Sequence, residues 1–255
     1  MAERIPALKR EPEEKRKRGG KLLWIVIAIF VIAAVVLFFR SSLSRINEIE
    51  VTGAKHASAA EVEKALGVGK GDSFFAGSPG TLERRVKALK PVQSVQVSKV
   101  FPGKLAVRVT EYPEVAIELG AAGQASVVLA NGYSVPLAEG ASLPDMPVLT
   151  GWKPDDPNRA ALCAALGGMQ ASLLGDLSQI SPDPSKAYPD RIKLYTRSRF
   201  EITTTIGRLP DNMVLISEIV ENREPGTVVL LEANTYKPYS AQSAQHGGPE
   251  TSGSQ

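Results

Sequence analysis

Residues 22–39 read LLWIVIAIFVIAAVVLFF, eighteen consecutive apolar residues with no charged or polar side chain among them. As a helix rising ~1.5 Å per residue, such a run spans about 27 Å, close to the hydrocarbon thickness of a bilayer. A core helix of a globular protein would show a polar face over that length, and none is present. A transmembrane helix over 22–39 is therefore expected. A secretory signal peptide has an apolar core of roughly 7 to 15 residues and closes on small residues at a cleavage site. This run closes on Phe38, Phe39 and Arg40, so an uncleaved anchor is expected.

The flanking charge orients the anchor. The chain has 30 Lys and Arg against 27 Asp and Glu; residues 1–21 hold eight and four of these, which leaves the rest near neutral. Lys9, Arg10, Lys15, Arg16, Lys17, Arg18 and Lys21 precede the apolar run, and only Arg40 and Arg45 follow it closely. The positive-inside bias places the tail 1–21 in the cytoplasm and everything after the helix outside, in a single-pass membrane protein. A basic run directly against a membrane is a topogenic segment that meets lipid headgroups, so membrane lipid and not nucleic acid is its expected partner.

Little in the composition points to catalysis. The single Cys163 cannot form an intramolecular disulfide, and His56 and His246 supply no metal-ligand spacing, so neither metal nor cofactor is expected. GVGKGDS at 67–73 lacks the Lys-Ser/Thr pair and helix opening of a phosphate loop and reads as a turn. No S-x-x-K, H-E-x-x-H or G-x-S-x-G occurs. His56 falls in a turn and His246 in the C-terminal tail. Glu111, Glu114 and Glu118 read as a solvated strand edge, and Cys163, on an Ala/Leu-rich helix, as a small core residue. A non-enzyme is the expectation.

After a short stalk, RINEIEVTG at 45–53 suggests a strand ending at Gly53. Ser58 and Glu61 form a capping-box pattern ahead of Val62, Ala65 and Leu66, a short helix stopped by Gly67. Ser78 with Pro79 opens a second helix, through Leu82, Val86 and Leu89 to Lys90. SVQVSKVFPGKLAVRVTEYP then reads as a hairpin. Val95, Val97 and Phe101 share one face, Leu105, Val107 and Val109 share one on the partner, and Pro102-Gly103 suits a type II turn. The order strand, helix, helix, strand, strand makes a small α+β domain.

Beyond Pro113, VAIEL, ASVVLA and YSVPL alternate with turns, and Asn131-Gly132 signals a two-residue hairpin. Asp156 caps a helix reaching about Gly175, weakened at Gly167-Gly168. LSQIS, RIKLYT and FEITTT read as strands, a capped helix runs from Asp211 to about Val220, and TVVLLEANTY at 227–236 reads as a closing strand. The Gly/Ser/Gln-rich end, 240–255, reads as a disordered tail.

VTG at 51–53, KGDSFF at 70–75, the Leu82/Leu89 helix, PVQSVQV at 91–97 and FPGKLAVRVTEYP at 101–113 together resemble the POTRA domain of the FtsQ/DivIB family of bacterial cell-division proteins. The following module is similar to that family's β domain in its NGY hairpin, paired central strands, Ile206-Gly207 before a late helix, and closing strand. Tyr112, Asn212 and Met213 stand where family members often carry an Arg and a Lys. The resemblance implies an α+β architecture: a cytoplasmic basic tail (1–21), a transmembrane helix (22–39), a POTRA domain (45–113, β-α-α-β-β), a mixed β-rich domain with two helices (114–239) and the tail. It also implies a non-catalytic scaffold at the division septum, with FtsB/DivIC-type and FtsL-type proteins as partners and septal cell-wall synthesis proteins as further candidates. POTRA modules also serve envelope assembly and translocation, which is the alternative function.

A sheet edge can accept a partner's strand. The candidate partner-binding residues are Val229, Leu230, Leu231, Glu232, Ala233, Asn234 and Tyr236 on the closing strand; the other reading makes 227–236 an internal core strand.

Overall fold

A computed structural model describes residues 18–120 and 123–241; the basic run before residue 18, His246 and the tail from 242 lie outside it. The apolar run forms α1 (Arg18–Arg40), 23 residues or about 35 Å long. Its large apolar side chains from Leu22 to Phe39 are exposed almost throughout, and the helix is long and apolar enough to cross a membrane.

The first module contains β1 (Glu48–Thr52), α2 (Ala59–Leu66), α3 (Pro79–Val86), β2 (Val92–Val100) and β3 (Lys104–Glu111). Its sheet has the order β1-β3-β2, with β1 parallel and β2 antiparallel to the central β3. The capping box forms: Glu61 N–H donates to Ser58 Oγ (3.2 Å) and Ser58 N–H donates to Glu61 Oε2 (2.8 Å). Val62, Leu66, Leu82 and Val86 pack on Val97, Leu105, Val107 and Val109, so both helices cover one sheet face. Gly53 has φ +81°, and a Cβ there would lie 2.1 Å from the Val109 carbonyl oxygen, so the tight exit from β1 admits only glycine.

Two expectations here are corrected. The second helix stops at Val86, because Lys87–Lys90 continue only as turns into Pro91, although Leu89 still packs on the core. The hairpin loop has three residues, 101–103, so Phe101 joins Pro102 and Gly103 (φ 72°) in the turn rather than ending the strand. Phe101 consequently leaves the strand face and is 57% exposed.

The second module is built on nine strands: β4 (Glu114–Leu119), β5 (Ala125–Leu129), β6 (Ser134–Pro136), β7 (Val148–Leu149), β8 (Leu177–Pro182), β9 (Arg191–Thr196), β10 (Glu201–Thr205), β11 (Gly226–Leu230) and β12 (Asn234–Pro238). They form one mixed sheet in the order β12-β11-β10-β9-β8-β7-β4-β5-β6. The NGY hairpin has a three-residue loop with Gly132 at φ 80°, since Leu129 N–H donates to the Tyr133 carbonyl. The two residues of β7 were not expected; they pair in parallel with both β4 and β8 and so join the two halves of the sheet.

The expected helix 157–175 is two, α4 (Pro157–Leu166) and α5 (Ala171–Asp176), parted at Gly167 and Gly168, where side-chain support for a helix is weakest. Asp156 does cap α4, accepting the Asn158 N–H at 2.9 Å. The late helix, α6 (Leu209–Asn222), begins before Asp211. Buried Leu209 anchors its first turn, Pro210 needs no N–H there, and Arg208 stands at the cap position without a side-chain capping bond. α6 is the crossover between the parallel neighbours β10 and β11. Leu162, Leu166, Leu174 and Ile216 from the helices meet Ile180, Ile192, Leu194, Ile202 and Val228 from the sheet in one core. Cys163 lies in that core; burial pushes its thiol up to about 11, so it is inert packing.

Candidate functional site

The segment 227–236 is not one strand. It is a hairpin in which residues 231–233 turn the chain from β11 back into β12. Three features force the turn. Thr204 Oγ1 donates to the Leu230 carbonyl at 3.1 Å, and the Arg208 guanidinium donates to the Leu231 carbonyl. At Gly226 a Cβ would stand 2.3 Å from the Lys237 carbonyl oxygen, so only glycine lets β12 close against β11.

This divides the candidate docking residues. Val229 and Leu230 lie on β11, which is paired on both sides, and Leu230 is 1% exposed. Leu231, Glu232 and Ala233 form the turn. Asn234 and Tyr236 lie on β12, and no other described strand pairs with its outer side. The internal-strand reading thus fits the first half of the segment, and the edge reading fits the second. The ladder phase follows from Tyr239 N–H donating to the Pro225 carbonyl at 3.1 Å. Counting along the register, Lys237 and Thr235 exchange bonds with Thr227 and Val229, which turns the backbone N–H and C=O of Asn234 and Tyr236 away from β11. Pro238 ends the run of outward donors. The Tyr236 side chain is fixed: its hydroxyl donates to the Glu224 carbonyl at 2.7 Å, and the Arg223 guanidinium sits 5.7 Å from the ring centre.

The three carboxylates expected on a solvated strand edge are engaged in the fold, Glu111 within the first module, Glu114 between the modules and Glu118 within the second. Glu111 is not a solvated strand-edge residue: Oε1 accepts the N–H groups of Lys55 (3.1 Å) and Ala57 (2.8 Å), and Oε2 accepts that of His56 (2.9 Å). Glu114 accepts from the Lys55 ammonium and lies 2.9 Å from His56 Nε2. His56 is correspondingly held in place, with its side chain 11% exposed. Glu118 pairs with Arg159, a residue not singled out from the sequence. Its guanidinium is 3% exposed, meets both carboxylate oxygens (3.2 and 2.9 Å), and donates to the Gly132 carbonyl and Ser134 Oγ. A second strut joins the modules where Asn131 donates to the Lys90 carbonyl at 2.8 Å and the Lys90 ammonium sits 5.3 Å from the Tyr133 ring.

Burial pushes the Glu114 carboxyl up, but the hydrogen bonds and charges of Lys55 and His56 outweigh it and hold the group below its ordinary value of 4.5. A depressed carboxylate contributes stability that is complete above the ordinary value and lost as pH falls through the folded one. Below pH 4.5 the unfolding midpoint of the native chain should therefore fall more steeply than that of Glu114→Gln. Parallel pH profiles of the two would remove Glu114 from the joint.

Among the described residues no group of three or more His, Cys, Asp or Glu is placed to hold a metal ion. Residues 44–112 match the FtsQ-type POTRA domain model, which makes the first module a POTRA domain of the kind found in cell-division proteins. Cell division protein DivIB of Paenibacillus polymyxa is 36% identical over 243 residues, covering 95% of this chain and 95% of the relative. DivIB of Brevibacillus brevis is 29% identical over 249 residues, covering 95% and 92%. The solved extracytoplasmic domain of DivIB from Geobacillus stearothermophilus is 26% identical, covers 45% of this chain and 99% of its own, and superposes with a TM-score of 0.37. The chain belongs to the DivIB family of cell division proteins.

Proposed function

We propose that the chain is a non-catalytic, single-pass scaffold of the division complex, cytoplasmic at its N-terminus and extracytoplasmic after the anchor, acting at the septum. In this reading residues 1–21 form the cytoplasmic tail, 22–39 the anchor, 45–113 the POTRA domain, 114–239 the β domain and 240–255 a tail. The β domain takes an added strand from an FtsB/DivIC-type partner, with an FtsL-type protein in the same assembly and septal cell-wall synthesis proteins as further contacts. The observation that carries the reading is the outer side of β12, where Asn234 and Tyr236 turn their backbone groups away from the sheet. Main-chain hydrogen bonds supply affinity in strand addition, and flanking side chains such as Glu232 and Tyr236 supply selectivity.

The test is Asn234→Pro. It deletes an outward N–H at an exposed position without removing a bond to β11. Loss of one such bond with some misfit is worth about 1–2 kcal/mol, so the Kd for an FtsB/DivIC-type ectodomain should rise roughly tenfold while the unfolding midpoint holds. Unchanged affinity in a folded variant would refute docking on β12.

A further inference from the structure

We propose that the end of the POTRA domain nearest α1 is a lipid-docking surface, with Phe75 and Phe101 seated in the headgroup interface of the bilayer on the side where α1 ends. The inference rests on reading α1 as a membrane anchor.

The connection from helix to domain is short and laced. A single 3-10 turn, Ser42–Ser44, follows α1, and buried Ser44 donates its hydroxyl to the carbonyls of Phe39 (2.8 Å) and Ser41 (3.0 Å). Phe74 N–H then donates to the Ser44 carbonyl (2.7 Å), Ile46 N–H to that of Asp72 (2.8 Å), and Gly71 N–H to that of Ile46 (2.7 Å). Loop 71–74 is thus stitched to the stalk. Even fully extended, the five residues 41–45 would reach only about 18 Å, and the turn shortens that. The interface of a bilayer adds roughly 5–7 Å of headgroup region on each side of the hydrocarbon.

A continuous path of rings runs from the helix to the hairpin tip. Phe39 meets Phe75 (centroids 5.7 Å apart), Phe75 meets Phe74 (5.5 Å), and Phe74 meets Phe101 (6.2 Å). Phe74 is buried, whereas Phe75 and Phe101 are 53% and 57% exposed, and Val100 and Leu43 are also open. Lys99 fixes the arrangement, its ammonium donating to the carbonyls of Phe74 (2.7 Å), Ala76 (3.2 Å) and Gly77 (2.7 Å). Apolar side chains clustered in this way mark a surface that is covered in use. Here the covering phase is the one already around Phe39, since the exposed rings are contiguous with the helix end. Exposed Arg40, Arg45 and Lys70 stand nearby to meet headgroup phosphates.

The test places photoreactive benzoylphenylalanine at position 30, 101 or 214 of the full chain in phospholipid bilayers and measures lipid adducts by mass. Phe30 reports the anchor, and Val214, 79% exposed on α6, reports a surface away from this end. Lipid adducts at 101 within a few-fold of those at 30, with background at 214, are expected. Adducts at 30 but only background at 101 would overturn the docking surface and leave the anchor standing. Background at both would overturn the anchor reading and the docking surface with it. Crosslinks from 101 to a second copy of the chain would assign the patch to self-association and overturn lipid docking.

Discussion

Replacing Glu111 by alanine should lower the unfolding midpoint of the POTRA domain by about 10 to 30 °C. The side chain is the acceptor for three consecutive backbone N–H groups, those of Lys55, His56 and Ala57, on a segment that has just left β1 and is about to enter α2. Hydrogen bonds to a charged acceptor are worth about 1.5–3 kcal/mol each, with part of that recovered here because water reaches the rim. A net loss of about 2–4 kcal/mol follows, and in a domain of this size each kcal/mol moves the midpoint by about 4–8 °C. Glu63→Ala, at an exposed position on α2, is the control and should change the midpoint little. Calorimetry on the full chain in detergent would measure both. If Glu111→Ala lost no more than the control, water would be replacing the carboxylate, and the 55–57 segment would not be held by it.

Arg159→Ala should destabilise the β domain by about 3 kcal/mol. Removing one member of a buried ion pair costs about 3–5 kcal/mol, because the remaining charge stays desolvated without a partner. The lower figure applies since the Glu118 side chain is 23% exposed and can recover some solvation. The same substitution leaves the Gly132 carbonyl without its donor, so the NGY hairpin should loosen and with it the Asn131 contact to Lys90. Replacing both Arg159 and Glu118 with methionine should recover most of the loss. In a double-mutant cycle over Arg159→Ala and Glu118→Ala, a coupling energy near zero would mean that the pair does not act as a unit.

The anchor and the first module were legible because their signals are local. Eighteen apolar residues in a row, a Ser58/Glu61 capping box and a Ser78-Pro79 helix start each sit within a few residues of what they specify, and all three elements form. Where a turn depended on distant atoms, local reading failed. The segment 227–236 carries no Gly-Asn or Pro signal at its middle, and it folds back where Thr204 on β10 and Arg208 at the head of α6 hold its carbonyls. The two residues of β7 carry no periodicity, so their place between β4 and β8 could come only from the assembled sheet.

The carboxylates make the sharpest contrast. In sequence Glu111, Glu114 and Glu118 are carboxylates scattered through a strand-rich stretch, and nothing nearby distinguishes them. Lys55 to Ala57 and Arg159 lie 41 to 59 residues from the carboxylates they hold, which is why only tertiary structure assigns Glu111 to the 55–57 segment, Glu114 to the joint and Glu118 to the buried Arg159 pair. From sequence it followed that this protein has a membrane-length helix ahead of an α+β portion, since hydrophobic length, alternation and capping are short-range physics. Which strand is an edge, which way its backbone groups face, and which distant side chains hold Glu111, Glu114 and Glu118 came only from the assembled fold. Those properties depend on chain segments far apart in sequence meeting in one register.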